Sequence, residues 1–263
     1  MSASRRPRHL SRIAYQPGES FLHRLHPLTK AAWLIGGTVL VFAIPSPWLA
    51  AGAVILLLVG GASAGLRLGR VRGTRLFVST ALMLGLLQVI FVREGQTLLR
   101  AGPLALTGGG IRAGIYVSCR FLSVILLSYL FVLTTDPNDL AYALMQAGLP
   151  YRYGYALITA LRLVPVFEQE GQIVYSAQLA RGVQYDIRSP RRLLPLARQF
   201  FLPLLVSALG KVDVLAVSME GRCFGKYPQR TFLRGVKATW WDALAIGLLL
   251  VAAGAAVVSR LQG

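Results

Sequence analysis

Between residues 31 and 133 the chain strings together long apolar runs, and the only acidic residue in that stretch is Glu94. Nothing constrains the fold more. A backbone passing through an apolar medium must satisfy its N–H and C=O groups internally, which leaves helices or a closed barrel. The runs are continuous and lack the strict polar–apolar alternation of barrel strands, so helices are expected. They cover residues 31–44, 48–66, 76–92 and 111–133, with a fifth at 241–258. Pro45-Ser46-Pro47 separates the first two, since a helix interior does not carry such a tripeptide. Gly108-Gly109-Gly110 reads as the turn before the fourth. The first run is short for a span of about 20 residues, so it should borrow residues 28–30 or tilt.

The composition agrees. Of 263 residues, 55% are apolar and 14% charged, and the mean hydropathy is +0.57. Charge this sparse excludes an ordinary cytosolic enzyme, and this much apolar content excludes disorder. Lys and Arg number 28 against 10 Asp and Glu, a formal net charge of +18. A balance of that sign points to nucleic acid or a membrane surface, and the unbroken runs decide for the membrane. Basic residues are retained on the cytoplasmic side. With the N-terminus inside, cytoplasmic segments hold 23 basic residues and external ones three, Arg93, Arg100 and Arg260. The expected organisation is a cytoplasmic arm (1–30), a four-span bundle (31–133), a cytoplasmic or membrane-interface domain (134–239) and a last span (240–263). Arg5, Arg6 and Arg8 are followed by polar residues, so no cleaved signal is expected there. Cys119 and Cys223 offer no metal spacing or disulfide framework, and His23 and His26 lack further ligands, so no metal or directly bound cofactor is expected.

Residues 134–239 carry 13 of the basic residues and only interrupted apolar stretches. Asp136-Pro137-Asn138-Asp139 starts a helix with a capping residue, a proline at the first position and an acid in the first turn. Leu140, Leu144 and Met145 form its apolar face, and Gly148-Leu149-Pro150 stops it. A long helical stretch follows from 151 to 182, interrupted at Pro165. Its end carries the small residues Ser176, Ala177, Ala180 and Gly182, which allow close helix crossing, and the single cation Arg181. A second stretch, 195–223, repeats the pattern with Ser207, Ala208, Ala216, Ser218, Gly221, Arg222 and Cys223. It is read as a helix on the membrane face and not as a full span. A terminal arginine suits the helix dipole. It can equally enter a carboxylate-bearing groove of another protein as a multidentate donor. Two such tips imply two grooves, hence a partner that is a dimer or pseudo-dimer.

At these residues the chain resembles the transmembrane T component of energy-coupling factor (ECF) transporters, the family that includes the cobalt-transport Q-type permeases. Leu22-His23-Arg24-Leu25-His26-Pro27-Leu28-Thr29-Lys30 is similar to that family's approach to its first span. Thr134-Thr135-Asp136-Pro137, Gly148-Leu149-Pro150 and Leu161-Arg162-Leu163-Val164-Pro165 follow in the family's order. Ala180-Arg181-Gly182 resembles its first Ala-Arg-Gly signature. Gly221-Arg222-Cys223 stands at the second and departs from it on both sides of the arginine. The likeness covers roughly residues 20–258. It implies an all-α membrane protein of about five transmembrane helices plus a cytoplasmic coupling domain with two long crossing helices. It further implies a subunit of an ATP-driven ABC-type importer in a prokaryotic inner or plasma membrane, taking up vitamins or transition metals such as cobalt or nickel. Its partners would be two cytosolic ATPases, which bind the ATP, and a small membrane subunit that captures substrate. Arg181 and Arg222, with Ala180, Gly182, Gly221 and Cys223, would dock the ATPases. Ser176, Ala177, Ser207, Ala208, Ala216 and Ser218 would serve the helix crossing and the capture subunit.

Three other classes fit less well. No Gly-x-x-x-x-Gly-Lys-Ser/Thr stretch occurs, so ATP hydrolysis falls to a partner. A membrane enzyme would place acids or histidines in its spans. A stand-alone secondary transporter would want a midplane polar site, for which Gln88, Ser123 and Ser128 are mild candidates. Gly61-x-x-x-Gly65 and Gly110-x-x-x-Gly114 read as helix packing. The basic tract 226–237 suits anionic lipid, and without interleaved aromatics it gives no nucleic-acid signal.

Overall fold

A computed structural model of the chain describes residues 18, 20–65, 74–92, 94, 96–101, 104–183, 190–227, 235–236 and 238–261. Arg5, Arg6, Arg8, Arg93 and most of the basic tract 226–237 lie outside the described residues. Two compact units emerge: residues 1–140 with 236–263, and residues 141–235.

The first unit is a helix bundle. It contains α1 (Phe21–Arg24), α2 (Pro27–Ala43), α3 (Pro47–Ser63), α4 (Thr74–Phe91), α5 (Gly108–Thr134) and α9 (Trp240–Leu261). α6 (Pro137–Gln146) bridges the division between units. α4 and α5 are long and apolar enough to cross a membrane, while α2, α3 and the Trp240–Ala256 part of α9 are shorter apolar helices. These match the five expected runs. α2 takes in residues 28–30 because proline fits its first position and His26 Nδ1 accepts the Leu28 N–H at 3.3 Å. Pro47 likewise takes the first position of α3, there without a side-chain cap from Ser46. The outward-facing surface is apolar, with Trp48 73%, Leu56 73% and Phe91 74% exposed, as a lipid-facing surface requires.

Among the described residues the chain is all-α apart from one short antiparallel hairpin, β1 (Thr97–Ala101) and β2 (Leu104–Thr107), which pairs Thr97 with Thr107 and Ala101 with Leu104. It occupies the link between the third and fourth runs. Gly108-Gly109-Gly110 is not a turn but the first residues of α5. Thr107 caps that helix by accepting from Gly110 N at 3.1 Å while its hydroxyl donates to Val92 O at 2.9 Å. The glycines are there for proximity. A Cβ on Gly110 would lie 2.8 Å from Val92 O, and one on Gly114 would lie 2.7 Å from Gly85 O. The Gly110/Gly114 pair therefore packs helices as expected, whereas Gly65 ends α3 at φ +70 with open space around it.

α9 closes on α2 through a polar node that its sequence position only hints at. Asp242, 4% exposed, accepts from His26 N and from Thr239 N, each at 2.7 Å. Nearby Lys30 Nζ donates to Thr134 O at 2.7 Å and His23 O at 3.2 Å, so the ends of α1, α2 and α5 are stitched together. Trp33 Nε1 donates to Ala245 O at 3.1 Å one turn further along. Inside α5, the Arg120 guanidinium bonds to Phe42 O and Tyr116 OH and lies over both rings, 4.7 and 4.2 Å from their centroids. It thereby caps the C-terminal carbonyls of α2, where a cation is favoured.

The second unit is built on α7 (Tyr151–Ala180) and α8 (Pro190–Gly221). Each runs through prolines, Pro165 in α7 and Pro195 and Pro203 in α8. Pro165 therefore does not divide the first stretch. At the start of α6, Asp136 Oδ1 accepts from Asn138 N at 2.8 Å with Pro137 in the first helical position. Its end is the expected glycine stop: Gly148 has φ +113 and Leu149 N returns to Leu144 O at 3.0 Å. The face it buries is Ala141, Ala143 and Met145, not Leu140 and Leu144.

Candidate functional site

α7 and α8 run antiparallel. Arg152 Nη2 lies 3.5 Å from Gly225 O and the Tyr155 and Phe224 rings are 4.7 Å apart, so the start of α7 meets the end of α8. Midway, Glu170 receives Ser207 Oγ at 3.1 Å and Lys211 Nζ at 2.7 Å. Near the far end, Gln178 Nε2 donates to Gln199 O at 3.1 Å. The Lys211 and Ser207 bonds hold the Glu170 carboxyl below its usual range.

The two helices end in the same hydrogen-bond motif. At α7, Arg181 N returns to Gln178 O, Gly182 N to Leu179 O and Val183 N to Gln178 O. At α8, Arg222 N returns to Met219 O, Cys223 N to Glu220 O and Phe224 N to Met219 O. Both are Schellman-type stops, with the residue after the arginine in the left-handed region. Gly182 takes φ +84 there, and Cys223 takes φ +56. The departure from glycine at the second tip therefore keeps the backbone path, at the strain of a side chain in that region. Arg181 and Arg222 are exposed. Because Arg222 lies beside the first turns of α7 and Arg181 at its end, the tips stand about 40 Å apart at 1.5 Å rise per residue.

The small residues divide into two sets. Ser207 and Ala208 are half-buried on the side of α8 that carries Lys211, whereas Ser176, Ala177, Ala180, Ala216, Ser218 and Gly221 are exposed. α7 instead turns Val174 and Gln178 inward. α8 leaves a broad apolar surface, with Val206 67% and Val214 73% exposed. A groove of about 500 Å³ beside it is lined by Phe167, Phe201, Leu202, Leu205, Ala208 and one cation, Arg198. By length and composition Leu194–Gly221 could also cross a membrane, which differs from its reading as a membrane-face helix. Sequence reasoning missed Glu170–Lys211, whose partners sit on separate helices; an acid and a base each on a small-residue face were its only trace.

Elsewhere, Ser128 bonds its own helix at Val124 O, 2.9 Å, and Ser123 is fully buried. Among the described residues no group of three or more His, Cys, Asp or Glu side chains could hold a metal ion.

Residues 18–233 match the CbiQ family, described as cobalt transport protein. The chain is 30% identical over 257 residues to an energy-coupling factor transporter transmembrane protein of Lacticaseibacillus paracasei, covering 94% of this chain and 97% of that one. A Thermosediminibacter oceani protein of the same name is 29% identical over 253 residues, covering 90% and 94%. A Bifidobacterium longum protein named as an ABC transporter ATP-binding protein is 26% identical over 251 residues, 92% of this chain but 31% of that longer protein.

Proposed function

The chain belongs to the CbiQ cobalt transport family, alongside the energy-coupling factor transmembrane proteins, and from that premise we propose that it couples two cytosolic ATPases to a small substrate-capturing membrane subunit. The observation that carries this reading is the pair of matched helix tips. A cation held on a rigid, exposed helix end is preorganised for a bidentate contact with a carboxylate. Two such ends with one backbone geometry, about 40 Å apart, suit two equivalent grooves on a paired ATPase. The Bifidobacterium relative, whose name is that of an ATP-binding protein, contains a segment similar to 92% of this chain, which supports the association. The N-terminus and the coupling unit are cytoplasmic in this reading, following the basic-residue asymmetry.

The apolar, exposed side of α8 and its groove supply the surface for the capture subunit, with Ala216 and Ser218 allowing close approach. Substrate selection then belongs to that subunit, and the cargo class is a transition metal such as cobalt or a vitamin. The test is co-purification of ATPases with the tagged chain, comparing wild type with Arg181→Glu and Arg222→Glu, singly and together. Removing one partner of a buried charge pair weakens an interface by about 2–5 kcal/mol. Each reversal should therefore lower ATPase recovery, and the pair should abolish it. Recovery of both ATPases by the double variant would sink the docking role.

A further inference from the structure

Between α1 and the start of α9, a cavity of about 440 Å³ is lined by Phe21, Arg24, Leu25, Thr239 and Trp241. We propose that it binds the phosphate headgroup of an anionic phospholipid from the inner leaflet. The location rests on the membrane placement proposed above, but not on the docking of ATPases.

Three observations converge there. The first is an aromatic girdle: Trp240 and Trp241 stack with centroids 3.7 Å apart, and Phe21 meets Trp241 edge-on at 5.1 Å. Tryptophans gather at the level of lipid headgroups because one part of the ring is apolar and its N–H is polar. The second is charge. Arg24 is exposed at the cavity and has no carboxylate partner among the described residues. Asp242, the residue after the lining Trp241, is buried and engaged by His26 N and Thr239 N. Its negative charge is thus held by the starts of α2 and α9, while the guanidinium stays available for a two-pronged contact with a phosphate. The third is the polarity gradient of the lining. Arg24 and Thr239 supply donors, and Phe21 and Leu25 supply an apolar wall for the glycerol and upper acyl carbons. The volume falls within the range of sites that hold small molecules. The inner leaflet is where anionic lipids meet basic protein segments.

The experiment is native mass spectrometry of the full chain released from detergent, offered phosphatidylglycerol and phosphatidylcholine in equal amounts. Wild type should retain one phosphatidylglycerol in preference to phosphatidylcholine. Arg24→Gln should lower that retention about tenfold, the loss expected for hydrogen bonds to a charged group, and Arg24→Lys should restore part of it. Arg75→Gln, an exposed arginine at the start of α4, should change nothing. Equal retention of both lipids, an equal loss in Arg75→Gln, or an Arg24→Gln variant that binds like wild type would overturn the site. Displacement of the lipid by millimolar inorganic phosphate would show a free-anion site and overturn the lipid assignment. Because Arg24 is far in sequence from either helix tip, Arg24→Gln should still bring down the ATPases, so failure here and failure of the coupling role are read separately.

Discussion

Asp242 offers the sharpest test of how the bundle is held together. Its two carboxylate oxygens accept from the backbone of His26 and of Thr239, each at 2.7 Å, and the residue is 4% exposed. One side chain therefore satisfies the amide before α2 and the amide at the cap of α9. Hydrogen bonds to a charged group contribute about 1.5–3 kcal/mol each, and a buried donor left alone costs a similar amount. Asp242→Ala removes both acceptors, so about 4 kcal/mol should be lost, the lower half of the range because His26 is only half-buried and Thr239 exposed. Asp242→Asn keeps one acceptor oxygen but turns an NH₂ toward a second donor, for a loss of about 2 kcal/mol. For a chain of this size each kcal/mol moves the midpoint by roughly 2–4 °C. Ala should then melt about 10 °C below wild type and Asn about 5 °C below. The assay is thermal scanning of the purified chain in one detergent at one scan rate, since unfolding in detergent is kinetically controlled. If both variants melt within 2 °C of wild type, or if Asn is worse than Ala, the node does not join α2 to α9 as described.

Gly114→Ala should lower the melting midpoint by several degrees, at about 1–3 kcal/mol, because its Cβ would meet Gly85 O at 2.7 Å and backbone cannot step aside; Gly247→Ala, with nothing within 4 Å, should be neutral in the same scan. At the tips, Gly182→Ala forces a side chain to φ +84 and should cost about 1 kcal/mol. Cys223→Gly relieves that strain but gains freedom in the unfolded chain, leaving stability within about 0.5 kcal/mol and ATPase recovery unchanged. Glu170 has its pKa lowered by Lys211 and Ser207, so its contribution is complete above the unfolded carboxylate's pKa and is lost as pH falls through the folded one. Spin labels across α7 and α8 should therefore hold their separation through the ordinary carboxylate range and diverge only at pH below it, and Glu170→Gln should abolish that acid response.

The spans were legible because their signal is local. Apolar runs, a proline at the first position of α2, α3 and α6, and a glycine after α6 each act within a few residues. The likeness of the two tips was legible for the same reason, down to the arginine at each stop. What stayed hidden depends on partners remote in sequence. Asp242 meets His26 across 216 positions, and Glu170 meets Lys211 on another helix. Gly108-Gly109-Gly110 reads as a turn because glycine usually marks one, yet here the missing Cβ lets α5 begin against Val92 and Glu94. The short hairpin is set by backbone pairing between Thr97 and Thr107, and no alternating pattern announces it.

α8 is where composition and the proposed role pull apart, and the placement of its charges bears on both. As a span over Leu194–Gly221 it would carry Lys211 and Asp213 near the bilayer midplane, each at about 2.5–3.5 kcal/mol. Glu170, drawn in through Lys211, would add a third charge. The Glu170–Lys211 pair keeps side-chain exposures of 22% and 35%, which suits water at its edge and not hydrocarbon. Laid instead along the membrane face, the same helix can turn Val206, Val214 and Val217 toward an apolar protein partner while Lys211 stays with Glu170. That arrangement buries the exposed apolar side chains without stranding a charge, and it leaves Arg222 outside lipid, as the docking proposed above requires.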